Sequence, residues 1–76
     1  MNKSKKMKKI IKAAKMANPY AMYQLGISYQ LGREHVQDMN EAATWISAAA
    51  EAGYSPAIEW MKDYSFDDNV AVQAQV

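Results

Sequence analysis

The feature that most constrains this chain is a pattern that recurs after 36 residues. Ile10, Ala13, Ala14 and Ala21 fall on Ile46, Ala49, Ala50 and Ala57, while Met22 falls on Ile58, Leu25 on Met61 and Ala17 on Gly53. Within the stretch 21–61, AMYQLGISYQLGREHVQDMNEAATWISAAAEAGYSPAIEWM, two helical patterns are each opened by a capping residue and closed by a glycine. A period of about 20–50 residues marks stacked helix pairs, because one pair cannot bury its apolar face alone. Alanines would coincide by chance in so Ala-rich a chain, but the matched Leu/Met and Ile/Ile positions argue against coincidence.

Each half of the period reads as a helix. From about Ser4 to Ala17, Met7, Ile10, Ile11 and Ala14 share one face, with lysines mostly opposite and Ser4 placed to cap the start. Asn18-Pro19 opens a second helix as cap and first-turn proline, and Gly32 stops it after Leu31. Gly26 stands in its middle, at a cost of about 1 kcal/mol relative to alanine, so close approach of a neighbouring helix is expected there. Asp38 with Glu41 resembles a capping box and opens a third helix, whose apolar face is Ala42, Trp45, Ile46, Ala49 and Ala50 and whose stop is Gly53. Ser55-Pro56 reads as the cap and first turn of a fourth, running to about Tyr64. The expected class is all-α: antiparallel helix pairs stacked as a short solenoid of about four helices.

Size and charge narrow the classes further. A chain of 76 residues is one small domain and buries only about 60% of its unfolded surface. It has no cysteine to brace it and no apolar run near the roughly 20 residues of a membrane span. A cytoplasmic protein with no cofactor, no metal and no membrane partner is expected. Net charge is only +1, but residues 1–17 carry seven lysines and no acid, whereas the rest sets Arg33 and Lys62 against eight acids, a net of −6. A basic arm on an acidic body points to an anionic partner, self-association, or docking of the arm on its own body.

Ala21, Leu25, Gly26, Tyr29, Gly32, Asp38, Ala42, Trp45, Ala49, Ala50, Glu51, Gly53 and Ala57 together resemble a Sel1-like repeat, a relative of the tetratricopeptide repeats. The likeness covers about 40 of the 76 residues. It departs from the family at Glu34, where a second glycine is usual, at His35, where valine is usual, and at Lys62, which replaces a glycine. The resemblance implies a right-handed stack of helix pairs and a protein-interaction scaffold rather than a catalyst. Domain 1–64 then divides into a basic capping helix (1–17), one full repeat (19–53) and a capping helix (55–64). Residues 65–76 follow as a flexible tail, or as a segment that pairs as an added strand with another chain, since Val70, Val72, Ala74 and Val76 alternate. A homodimer is a further source of stability for so short an array.

No catalytic set is visible, and no phosphate-binding glycine loop follows Gly26 or Gly32. His35 beside Glu34 and Asp38 reads as a solvated loop histidine rather than an acid/base or metal site. The expected partner-binding surface carries Tyr20, Tyr23, Ile27, Gln30 and Glu59, since tyrosines bury large area at low entropy cost. The competing reading is that Tyr20 and Ile27 simply pack on a neighbouring helix. Lys5, Lys8, Lys9, Lys12 and Lys15 are the candidates for an anionic partner. They serve as the solvated face of a cap, as a phosphate-binding strip for nucleic acid, or as a dock for an acidic protein. Without interleaved aromatics they do not make a base-stacking platform. The chain therefore reads as a non-catalytic protein–protein interaction module, an adaptor or a small regulator or inhibitor. The alternative is a small nucleic-acid or ribonucleoprotein binder acting through the Lys-rich helix.

Overall fold

The computed structural model describes residues 4–64, and every regular element among them is helical. The tail at 65–76 lies outside the described residues. α1 spans Lys5–Lys15, α2 Pro19–Leu31 and α3 Met39–Glu51, and residues 55–64 form α4. Side chains at the caps fix where the first three begin. Ser4 Oγ accepts from the Met7 N–H at 3.1 Å, Asn18 Oδ1 from Ala21 at 3.1 Å and Asp38 Oδ1 from Glu41 at 3.1 Å. Each satisfies one of the free N–H groups of a first turn. The box expected at Asp38 is only half built, because its own N–H donates to the Tyr29 carbonyl at 3.0 Å. α4 starts one residue earlier than Ser55-Pro56 suggests. Its first carbonyl acceptor is Tyr54, which takes the N–H groups of Ala57 at 3.0 Å and Ile58 at 3.1 Å, so Ser55 is already helical.

The turns that follow α1 and α3 share one hydrogen-bond pattern. After α1, the N–H of Ala17 donates to Ala14 at 3.0 Å and that of Asn18 to Ala13 at 3.0 Å. After α3, Gly53 donates to Ala50 at 2.9 Å and Tyr54 to Ala49 at 3.1 Å. Both turns satisfy the last carbonyls of a helix through a left-handed residue, Ala17 (φ 65°) in one and Gly53 (φ 91°) in the other. The alanine holds a conformation that favours glycine, at a cost of roughly 1–2 kcal/mol.

α2 is the central helix: α1 packs on one side of it and α3 on another. Its apolar residues accordingly go around the helix rather than forming one stripe. Ala21, Met22 and Leu25 are buried together with Met7 and Ala14 of α1, Ile46 and Ala49 of α3, and Ala57 of α4. Gly26 permits the tightest approach. A Cβ there would strike Ile46 and come within 2.9 Å of the Ala42 carbonyl oxygen, which is the compensation its mid-helix cost requires. Ser28 is buried and returns its hydroxyl proton to the Leu25 carbonyl at 2.8 Å. No helix among the described residues is long and apolar enough to cross a membrane.

Candidate functional site

The five residues expected on one surface divide among three places. At the start of α2, Tyr20 and Tyr23 meet Tyr54, which sits in the turn between α3 and α4. The Tyr20 ring stands edge-on to Tyr54 with centroids 6.0 Å apart, and Tyr23 is tilted against it at 5.5 Å. Such offset aromatic contacts add about 0.5–1.5 kcal/mol beyond area burial. Tyr20 remains 57% exposed, whereas Tyr23 is half-buried. At the far end of α2, Gln30 accepts a hydrogen bond from the Trp60 indole N–H at 2.9 Å, and Trp60 stacks on Tyr64 at 5.0 Å. α2 and α4 thus run in the same direction, tied at both ends. Glu59 lies on the outer side of α4, where Lys62 approaches its carboxylate at 3.4 Å with both side chains largely in water. A pair so exposed contributes little.

Ile27 faces elsewhere. It lines a cleft of about 130 Å³ between α1 and α2, together with Lys6, Ile10, Gln24 and Arg33. Lys5, Lys8, Lys9, Lys12 and Lys15 are all exposed along α1. Lys6, Gln24, Arg33, Tyr54, Trp60 and Tyr64 are absent from the residues expected from sequence. The period gave no signal for Tyr54 and Trp60, since they stand 36 residues after Asn18 and Gln24, neither of them an expected site residue. The contact of Arg33 with the cleft depends on the path of the loop.

That loop, residues 32–38, is folded back on α2. Gly32 (φ 70°) and Glu34 (φ 60°) both take left-handed conformations. The Glu34 carboxylate accepts the backbone N–H of Ser4 at 2.6 Å and the Ser4 hydroxyl at 3.0 Å, tying the loop to the first turn of α1. Gln37 donates its side-chain amide to the Gln30 carbonyl at 2.8 Å. His35 is not the solvated loop histidine expected. The folded loop leaves it half-buried and stacks it on Tyr29 at 4.1 Å. Burial pushes the Tyr29 phenol above its ordinary pKa, and the neighbouring Glu41 and Asp38 carboxylates add to the effect.

Chemically, these places offer aromatic edges, an amide, aliphatic walls and a cationic rim. Among the described residues no group of three or more His, Cys, Asp or Glu is placed to hold a metal ion. Compared with family models, curated proteins and solved structures, the chain matches none.

Proposed function

We propose that the chain acts in the cytoplasm as a non-catalytic interaction module, a short α-solenoid that binds a protein partner on the face shared by α2 and α4. The observation that carries this reading is the tyrosine cluster at the start of α2. Tyr20 is more than half exposed, yet its ring is held against Tyr54, which is itself in contact with Tyr23. A large ring oriented before binding gives up little entropy when a partner covers it. The recurrence of the same turn hydrogen bonds after α1 and α3 supports the repeat reading, and with it the likeness to Sel1-like units. The test is a pull-down with the tagged full chain, with and without nuclease, followed by titration of the captured protein. A Tyr20→Ala/Tyr23→Ala double variant with an unchanged helical spectrum should bind at least about 30-fold more weakly, as loss of a hot spot of about 2 kcal/mol implies. Full affinity in that variant rejects this surface.

The second reading, a nucleic-acid binder, is favoured by one observation: Lys5, Lys8, Lys9, Lys12 and Lys15 are exposed on a single helix. It predicts capture that disappears with nuclease and affinity that falls steeply between about 50 and 200 mM salt. A flat salt response rejects it.

A further inference from the structure

The 36-residue period also identifies an unfilled place in the packing. α2 is seated between two neighbours. Against α3, Gly26 presses on Ile46 and on the Ala42 carbonyl, with Ala49 buried nearby. Toward α4, α2 meets Tyr54 and Trp60. One period earlier, these five positions are Ile10, Lys6, Ala13, Asn18 and Gln24. Lys6, Ile10 and Gln24 line the cleft between α1 and α2. The side chains that α2 covers in the later unit are open in the earlier one. Ile46 and Ala49 are 0% exposed, while Ile10 and Ala13 are only half-buried.

We infer that the cleft between α1 and α2 is the seat for one further helix, packed there as α2 packs on α3 and α4. Its occupant is an acidic amphipathic helix of another protein, with glycine or alanine at its centre. This adds a second surface to the module, distinct from the α2–α4 face, and rests on the interaction reading. Two arguments fix the chemistry of the occupant. The first is charge: Lys6 of α1 and Arg33 of the loop line the cleft and are exposed. The acid at its end, Glu34, holds Ser4 with both carboxylate oxygens. Complementary charge at a rim speeds docking and selects partners. The second is space: the position facing Ile10 corresponds to Gly26, where even a Cβ meets backbone.

The same argument excludes a second copy of this chain. The helix equivalent to α2 is α4, and its residue equivalent to Gly26 is Lys62, an exposed side chain. Seated in the cleft, Lys62 would drive a long cationic stem into Ile10 beside Lys6.

The probe is a fluorescein-labelled peptide of residues 18–32 carrying Gln24→Glu and Gln30→Glu, titrated by anisotropy into the full chain. Saturable binding is expected. It should weaken at least about tenfold with Lys6→Glu, an exposed change that spares the core, and likewise with Ile10→Glu in a chain of unchanged helicity. A peptide with lysine in place of its central glycine should not bind. Absence of saturable binding, or equal binding by the lysine peptide, overturns the inference. Equal binding to the Lys6→Glu chain does so too. Concentration-dependent self-association of the full chain that Ile10→Glu abolishes would also overturn it, by giving the seat to a second copy. The failures are separable. A captured partner sensitive to Tyr20→Ala/Tyr23→Ala but not to Lys6→Glu removes the cleft and leaves the module, whereas no captured protein at all removes the module itself.

Discussion

Two left-handed residues and one glycine carry the sharpest predictions. Ala17 and Gly53 occupy like turns after α1 and α3, at φ 65° and 91°, so exchanging their identities should have opposite signs. Ala17→Gly is expected to stabilise by about 0.5–1 kcal/mol by relieving the left-handed alanine. That raises the melting temperature of a domain this size by about 4–8 °C per kcal/mol. Gly53→Ala has open space for its Cβ and should lose about 1 kcal/mol through backbone strain alone. Thermal melts of the two variants decide it, and shifts of the same sign would refute the equivalence of the turns. Gly26→Ala is different. Alanine gains up to about 1 kcal/mol in helix propensity, but the Cβ meets Ile46 and the Ala42 carbonyl, and overpacking costs about 1–3 kcal/mol. Net destabilisation in urea unfolding is expected. Tyr29 adds a pH dependence. Its folded pKa is raised, so its contribution is fully present below the unfolded tyrosine value and is lost as pH rises through the folded one. Tyr29→Phe should therefore flatten the alkaline loss of stability, read from denaturant midpoints across that range.

At the scale of the helices, the caps and stops were legible because each rests on one residue and its near neighbours. Ser4, Asn18 and Asp38 perform the capping bonds their positions imply, and Gly32 ends α2 in the left-handed conformation. The close approach at Gly26 was equally legible, since a mid-helix glycine needs a reason. The contacts that the loop makes were not. Nothing local in Gly32–Asp38 says that Glu34 will reach Ser4 or that His35 will lie on Tyr29, because both depend on where α1 and α2 place the loop. For the same reason Ile27 could be put on a face of α2 but not assigned to the α1 cleft rather than to the tyrosine cluster. Asp38→Ala should cost about 1 kcal/mol, measured by urea unfolding. Loss of the Asp38 cap loosens the start of α3 and leaves the Ser4–Glu34 contact in place.

For the whole molecule, charge and order are arranged unevenly along the chain. The lysines of α1 repel one another at i, i+4 spacing, and packing of Met7 and Ala14 against the core holds the helix in spite of that. Screening salt should therefore raise the stability of the intact chain. A melting temperature that falls as sodium chloride goes from about 10 mM to about 500 mM, where the Debye length is only a few ångströms, would contradict this account of α1. The carboxylate of Glu34 has a further consequence for how the fold comes apart. It binds the first turn of α1 to a loop 30 residues away that is itself held on α2, so α1 cannot lift from the core without breaking that contact. Opening should proceed as the departure of a flap from its latch. The Ser4 amide would then exchange with solvent at the rate at which α1 opens, and would exchange ahead of that opening when Glu34 is changed to alanine.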